Sequence, residues 1–293
     1  MNRYQKEVEK QLLENEKEIL DKLKNNYATA LNDVKQRIKD LQSNELTQSK
    51  IYQLQYQQNL EKQLQAITDL LSADNVNSIS DYLNKMYQDG FIGTLYNMQK
   101  EGVPFIMPID QQTIIKSISK KTEDFQLSKT LYKNAEELKK VIISEITRGI
   151  SQGFSYSNIS KKIALHSEAD LKKAYRIART EGGRVQNEAK FEVMKRAKEN
   201  GADVVKQWDS TIDKRTRKTH MQLDGQIREL DEPFEIEGNK AMYPHDFGIA
   251  EEDINCRCVL LERARWAVDD VEKFSKNVDG DIVQFENIIN VNI

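Results

Sequence analysis

The sequence predicts an α+β fold that is predominantly α-helical: long N-terminal helices followed by a small C-terminal module of helices plus a short β-sheet. Three observations carry this expectation. Residues 1–71 contain neither Pro nor Gly, the residues that cost a helix interior about 3 and about 1 kcal/mol relative to Ala. Apolar side chains in the same stretch recur at steps of three and four. After Gly201 the alphabet changes to one that alternates apolar and polar residues, as strands do.

The first helix follows from one stripe, Leu20, Leu23, Tyr27, Leu31, Val34, Ile38 and Leu41. The polar break at Ser43-Asn44 ends it, and Ile51, Leu54, Leu60, Leu64, Ile67 and Leu71 predict another helix, with the glutamines from Gln42 to Gln65 as its polar face. The stripes read as the core of a helical hairpin within the chain, with a coiled coil to a partner chain as the alternative. From Gly90 to Pro108 the glycines and prolines are interleaved with Phe91, Ile92, Phe105 and Ile106, which predicts an extended, partly buried connector.

Leu131, Leu138, Val141, Ile142 and Ile146 predict a helix over 131–150, ended by Gly149 to Gly153. A short helix is expected at Tyr156–Leu165 and a longer one at Glu168–Asn200, stopped by Asn200-Gly201. The pair Gly182-Gly183 inside the longer one either breaks it or marks a close approach to its backbone. Val204 to Trp208 and Cys258 to Leu261 read as strands, and Asp224-Gly225 as a tight turn. The expected division is 1–130, an elongated helical domain with its connector; 131–268, the α+β module; and 269–293, a C-terminal tail. Limited proteolysis is expected to release a resistant module beginning near residue 130.

Composition excludes several classes. No apolar run approaches the roughly 20 residues that cross a bilayer, and the first residues lack the apolar core of a secretory signal, so a cytoplasmic chain is expected. Cys256 and Cys258, the two cysteines, lie too close in sequence to close a stabilising loop. The net charge of −3 argues against a surface built wholly to coat nucleic acid, yet it hides an uneven distribution. Residues 161–218 hold 16 Lys and Arg against nine Asp and Glu, whereas residues 219–257 hold three against ten. The basic stretch, with Lys195, Arg196 and Lys198, is a candidate for nonspecific contact with DNA phosphates; pairing with the acidic stretch that follows is the plainer alternative.

The ordered pieces Ala178-Arg179-Thr180-Glu181, Trp208-Asp209-Ser210, Asp213-Lys214-Arg215-Thr216-Arg217 with His220, Leu223-Asp224-Gly225, Pro233-Phe234 and Asn255-Cys256-Arg257-Cys258 resemble the Mu F-like family of tailed-phage minor head proteins. The resemblance spans roughly residues 140–262. It implies a few-copy capsid component of the virion, found in the host cytoplasm during assembly. It further implies association with the portal protein, a role in head morphogenesis, and a part in packaging or ejecting double-stranded DNA. In some relatives a toxin domain follows the shared module, for which the segment after Cys258 is expected to be too short.

The residues themselves allow two chemistries. His220, Cys256 and Cys258, with His245 or Asp246 as a fourth, suit tetrahedral zinc by type, but a one-residue gap between cysteines places their side chains on opposite faces of an extended strand. The expectation is therefore no cofactor, with the cysteines packed as small hydrophobes and zinc as the alternative. Asp213, Arg215, His220 and Glu181 could serve a nuclease as acid, base and phosphate clamp, but the run from Asp213 to Arg217 reads more simply as a helix start, so no catalytic residue is assigned. His166 is expected on the surface of a connection between helices.

Overall fold

The computed structural model describes residues 1–43, 50–103, 105, 107–110, 112–117, 127–151, 156–268, 274–276 and 282–284. The helices are α1 (Arg3–Ser43), α2 (Lys50–Lys100), α3 (Leu127–Ser151), α4 (Tyr156–Glu199), α5 (Lys218–Leu223), α6 (Ala250–Asp253) and α7 (Arg265–Val268). Residues 112–117 are also helical. The strands are β1 (Val204–Asp209), β2 (Ile227–Arg228), β3 (Phe234–Ile236), β4 (Asn239–Ala241), β5 (Val259–Ala264), β6 (Phe274–Lys276) and β7 (Ile282–Gln284). The fold is α+β and mostly α. Among the described residues, no helix is long and apolar enough to cross a membrane.

Two compact units form, and each draws on separated parts of the chain. One comprises Lys17–Tyr82 and Ser119–Ala178. Its described residues are all helical, and its core is built from the stripe of α1 (Leu23, Tyr27, Val34, Ile38) with Leu64, Leu71 and Ile79 of α2, Ile142 and Ile146 of α3, and Ile159 and Ile163 of α4. The stripe of α1 is thus covered by the chain itself, in keeping with the hairpin. Tyr27 Oη donates a 2.7 Å hydrogen bond to Asp170 Oδ2, and burial together with that carboxylate raises the phenol's pKa strongly. The missing Cβ of Gly149 leaves room for Ile159, whose Cδ1 would lie 2.5 Å from such an atom.

The second unit comprises Met1–Glu16, Leu83–Ile118 and Arg179–Ile293. Its main sheet has the order β2-β1-β5, all antiparallel, with Trp208 opposite Leu260 and Lys206 opposite Glu262. β3 pairs with β4, and β6 with β7. Every residue of β1 is buried, so the strand is enclosed on both faces rather than half-exposed as its alternation suggests. The core gathers Trp208, Phe234, Leu223 and Leu260 around the sheet, with Val185, Ala189 and Val193 of α4.

Several expectations change here. Gly90 to Gly93 are helical, inside α2, and do not form an extended connector. A Cβ at Gly90 would meet the Gln186 backbone oxygen at 3.2 Å, and one at Gly93 would meet Val8 Cγ2 at 3.1 Å. The glycines therefore let α4 and α1 approach α2 closely, and interhelical packing more than offsets their cost in propensity. The helix stops instead at Gly102 (φ +84°), where Val103 N–H donates to Met98 O and Gly102 N–H to Gln99 O, a Schellman end. Gly201 ends α4 by the same pattern, its N–H on Lys198 O and that of Ala202 on Ala197 O.

The two helices expected over 156–200 are one, so His166 lies within α4 and not in a connection; its exposed ring sits 4.0 Å from Glu145. The run 213–216 is a turn, with α5 beginning only at Lys218. Asp224-Gly225 is a tight turn as expected, with Gln226 N–H on Leu223 O at 3.0 Å, and it joins α5 to β2. Asn44, Pro104, Ile106, Gly153 and most of the 269–293 tail lie outside the described residues.

Candidate metal centre

The end of β1, the turn at 213–216, α5 and the segment entering β5 converge on one buried cluster. Trp208 anchors it. Its ring is fully buried and packs edge-on to Phe234 at 5.1 Å and to His220 at 5.8 Å, while its indole N–H donates to Ser210 Oγ at 3.1 Å. Ser210 Oγ donates in turn to His220 O at 2.8 Å, and Ser210 N–H donates to Asp224 Oδ1 at 2.6 Å. Gly225 takes φ +79°, and its N–H reaches Trp208 O at 2.8 Å, extending the sheet beyond β2. α5 is thereby pinned against the sheet with His220 facing inward, 2% exposed.

The objection from cysteine spacing does not hold in the folded chain. Asn255 adopts φ +56°, with its N–H on Thr180 Oγ1 at 3.1 Å, and the residues after it precede the first residue of β5. Cys256-Arg257-Cys258 is therefore not a regular strand. Arg257 turns outward into a two-pronged pair with Asp213, 2.7 Å on each side, and both sulfurs turn inward. His220 Nδ1 lies 3.2 Å from Cys258 Sγ and 3.5 Å from Cys256 Sγ. Cys258 N–H points to Cys256 Sγ at 3.4 Å, and Ser210 Oγ is 3.3 Å from Cys258 Sγ.

On the far side of the ring, His220 Nε2 is 2.8 Å from Glu252 Oε2, close but out of line with the ring N–H direction. Thr219 Oγ1 donates to the same carboxylate oxygen at 3.1 Å. Glu252 was hidden from sequence reasoning by its neighbours, since Glu251-Glu252-Asp253 reads as part of a solvated acidic run. The spacing from His220 offers no periodic signal.

The cluster favours a thiolate at one sulfur. The hydrogen bond from Cys256, then the neighbouring His220, hold Cys258 well below the ordinary thiol range, while the same sulfur–sulfur contact and burial push Cys256 up. Outside it, the hydrogen bonds from Arg257 and from the Arg215 N–H hold Asp213 far below the usual carboxylate range. A cavity of about 20 Å³, room for a single water, is lined by His220, Cys256 and Cys258 together with Thr211, Arg215, Thr216, Arg217, Asn255 and Arg257.

Other residues singled out in the sequence go elsewhere. His245 and Asp246 do not join the group of ligand atoms, which among the described residues is His220, Cys256 and Cys258. His245 packs instead on α4 at Gly183, so the glycine pair marks a close approach and not a break, and Asp246 accepts the Met242 N–H. Glu181 pairs with buried Arg184 at 2.9 Å, Arg179 with Glu16 at 2.7 Å, and Thr216 Oγ1 with the Thr211 carbonyl. Of the four residues considered for a nuclease, Asp213 is taken by Arg257 and, at 3.6 Å, by Arg215, whose side chain is 79% exposed, while Glu181 is taken by Arg184. Arg196 is half-buried on Glu192 and Thr113, whereas Lys195 and Lys198 line an open cleft of about 530 Å³ with Phe191, Leu230 and Met242. Lys195 is 3.8 Å from Glu192, and Lys198 is 3.2 Å from Glu229.

Residues 140–261, which hold this whole cluster, match the family described as Phage Mu protein F like protein. Over that stretch the chain is similar to the Mu F-like family. Among curated proteins, it is 35% identical over 266 residues to the NAD(+)--arginine ADP-ribosyltransferase EFV of Enterococcus faecalis, covering 89% of this chain and 55% of that protein. It is 28% identical over 254 residues to the minor head protein GP7 of Bacillus phage SPP1, covering 83% of this chain and 80% of the phage protein. The chain thus spans about half the length of the enterococcal relative. No solved structure matches it.

Proposed function

We propose that this protein is a minor head protein of a tailed phage, seated at the portal during head morphogenesis and touching the packaged DNA without reading its sequence. The observation that carries the reading is the Mu F-like module combined with a similarity that runs over 80% of a phage minor head protein. That share makes the head role the natural one to extend to this chain, whereas the enterococcal relative's name describes a protein of which the chain matches 55%. The helices suit a docking role. α1 alone, at 41 residues, is about 60 Å long and carries exposed charged side chains in two runs, up to Lys24 and from Asp33, that an oligomeric ring could engage.

For DNA, Lys195 and Lys198 are the residues to test. Both side chains are about half exposed, and surface ion pairs such as theirs contribute about 0–1 kcal/mol, so a phosphate can displace the carboxylate. Co-expression with the cognate portal protein tests the first part. The two are expected to co-purify, and heads assembled in the absence of the chain are expected to be defective; normal heads would overturn the reading. Lys195→Glu with Lys198→Glu should weaken binding to unrelated duplexes equally and flatten the salt dependence. Unchanged binding at low salt would remove the DNA contact.

A further inference from the structure

We propose that His220, Cys256 and Cys258 bind one zinc ion, with the fourth position held by a water in the adjoining cavity. Tetrahedral zinc with bonds of about 2.3 Å to sulfur and about 2.0–2.1 Å to nitrogen separates N from S by about 3.6 Å. The chain places Nδ1 3.2 and 3.5 Å from the two sulfurs, with all three ligand atoms within 4.8 Å of one another. An imidazole Nδ1 offers either one lone pair or one proton, so it serves one of the two sulfurs directly, while the other, 3.5 Å away, relies on its fellow cysteine. A cation at the centre of the three atoms satisfies all of them at once.

The surroundings fit the same assignment. Glu252 Oε2, 2.8 Å from Nε2 though out of line with its N–H, sets a carboxylate beside the ring nitrogen that faces away from the sulfurs, where a small turn of either side chain would let it orient a ligating histidine. The Cys258 N–H lies 3.4 Å from Cys256 Sγ, where it stabilises thiolate charge. Three protein ligands leave one position open, and the cavity beside them has room for one water. The ion would tie the segment at 256–258 to α5, joining residues 36 apart in the chain, and so hold the entry to β5.

The test uses the full-length protein and does not depend on head assembly, so it stands apart from the portal reading. Protein isolated from zinc-supplemented cells is expected to carry one zinc per chain by elemental analysis. The stripped protein should take up one Co²⁺ and show the visible ligand-field bands and sulfur-to-metal charge transfer of a tetrahedral thiolate site. Cys258→Ser should abolish those bands. Glu252→Gln should keep the stoichiometry and spectrum while weakening affinity about 10–100-fold. If Cys258→Ser fails to fold, titration of the stripped wild-type chain still decides. A helical wild-type protein that takes up neither zinc nor cobalt overturns the proposal, as does a folded Cys258→Ser variant with undiminished affinity.

Discussion

Gly183→Ala sets two effects of opposite sign against each other in α4. In an ordinary helix interior the change stabilises by about 1 kcal/mol through backbone propensity. Here a Cβ would fall 2.8 Å from His245 Cε1 and 3.2 Å from Cδ2, closer still to Nε2, so the whole ring has to retreat by roughly 1 Å to restore ordinary contact. The ring has little room to do so, since His245 is 2% exposed and held at φ +70°, a conformation already costly for a side chain with a Cβ. Overpacking of this kind costs about 1–3 kcal/mol, and after the helix gain the net is a destabilisation of up to about 2 kcal/mol. For a unit of this size that lowers Tm by up to about 8 °C. The assay is thermal unfolding of four proteins: wild type, Gly183→Ala, His245→Gly and the double variant. In the His245→Gly background the clash is gone, so Gly183→Ala should there raise Tm. A stabilising Gly183→Ala in the wild-type background would refute the packing of His245 on the α4 backbone.

Trp208→Ala deletes a fully buried ring and leaves Ser210 without its donor, a loss of about 3–5 kcal/mol measurable as a Tm drop of about 10 °C; an unchanged scan would place the ring at the surface. Gly225→Ala forces a Cβ into φ +79° and should cost about 1–2 kcal/mol in a urea titration, with no gain from any new contact, since nothing lies within 4 Å of the added atom. Lys206, buried between the rings of Phe191 and Phe234 with its ammonium on Leu230 O, has its pKa pushed down to about 8 by burial, against the opposing pull of Asp231, Asp246 and Glu232. The unfolded chain holds that proton up to about pH 10.5, so between about pH 8 and 10.5 it binds more protons than the folded one and this residue's contribution to stability rises with pH. Urea midpoints at about pH 7.5 and about pH 9.5 should show that rise for wild type relative to Lys206→Met; equal slopes for the two proteins would refute it.

Chain-local physics made much of the architecture legible in the sequence. A stretch free of Gly and Pro with one apolar stripe has few alternatives to a helix, so α1 and the first part of α2 could be read directly, and Asn200-Gly201 marked the end of α4 because a left-handed residue closes a helix by bonds to its own last turn. The order of the Mu F-like pieces was likewise a property of the chain. Tertiary structure decided the rest, wherever a residue's role depends on something distant in sequence. Gly90, Gly93 and Gly183 look like breaks by propensity, yet each sits in a helix because a neighbouring element occupies the space of the missing Cβ. Cys256 and Cys258 look divergent by strand periodicity, yet Asn255 at φ +56° and the Arg257 pair with Asp213 turn both sulfurs onto His220, 36 and 38 residues earlier. Periodicity assumes regular backbone and a neighbour-independent face, and both assumptions fail where packing energy from long-range contacts exceeds the kilocalorie or so per residue that local preference supplies.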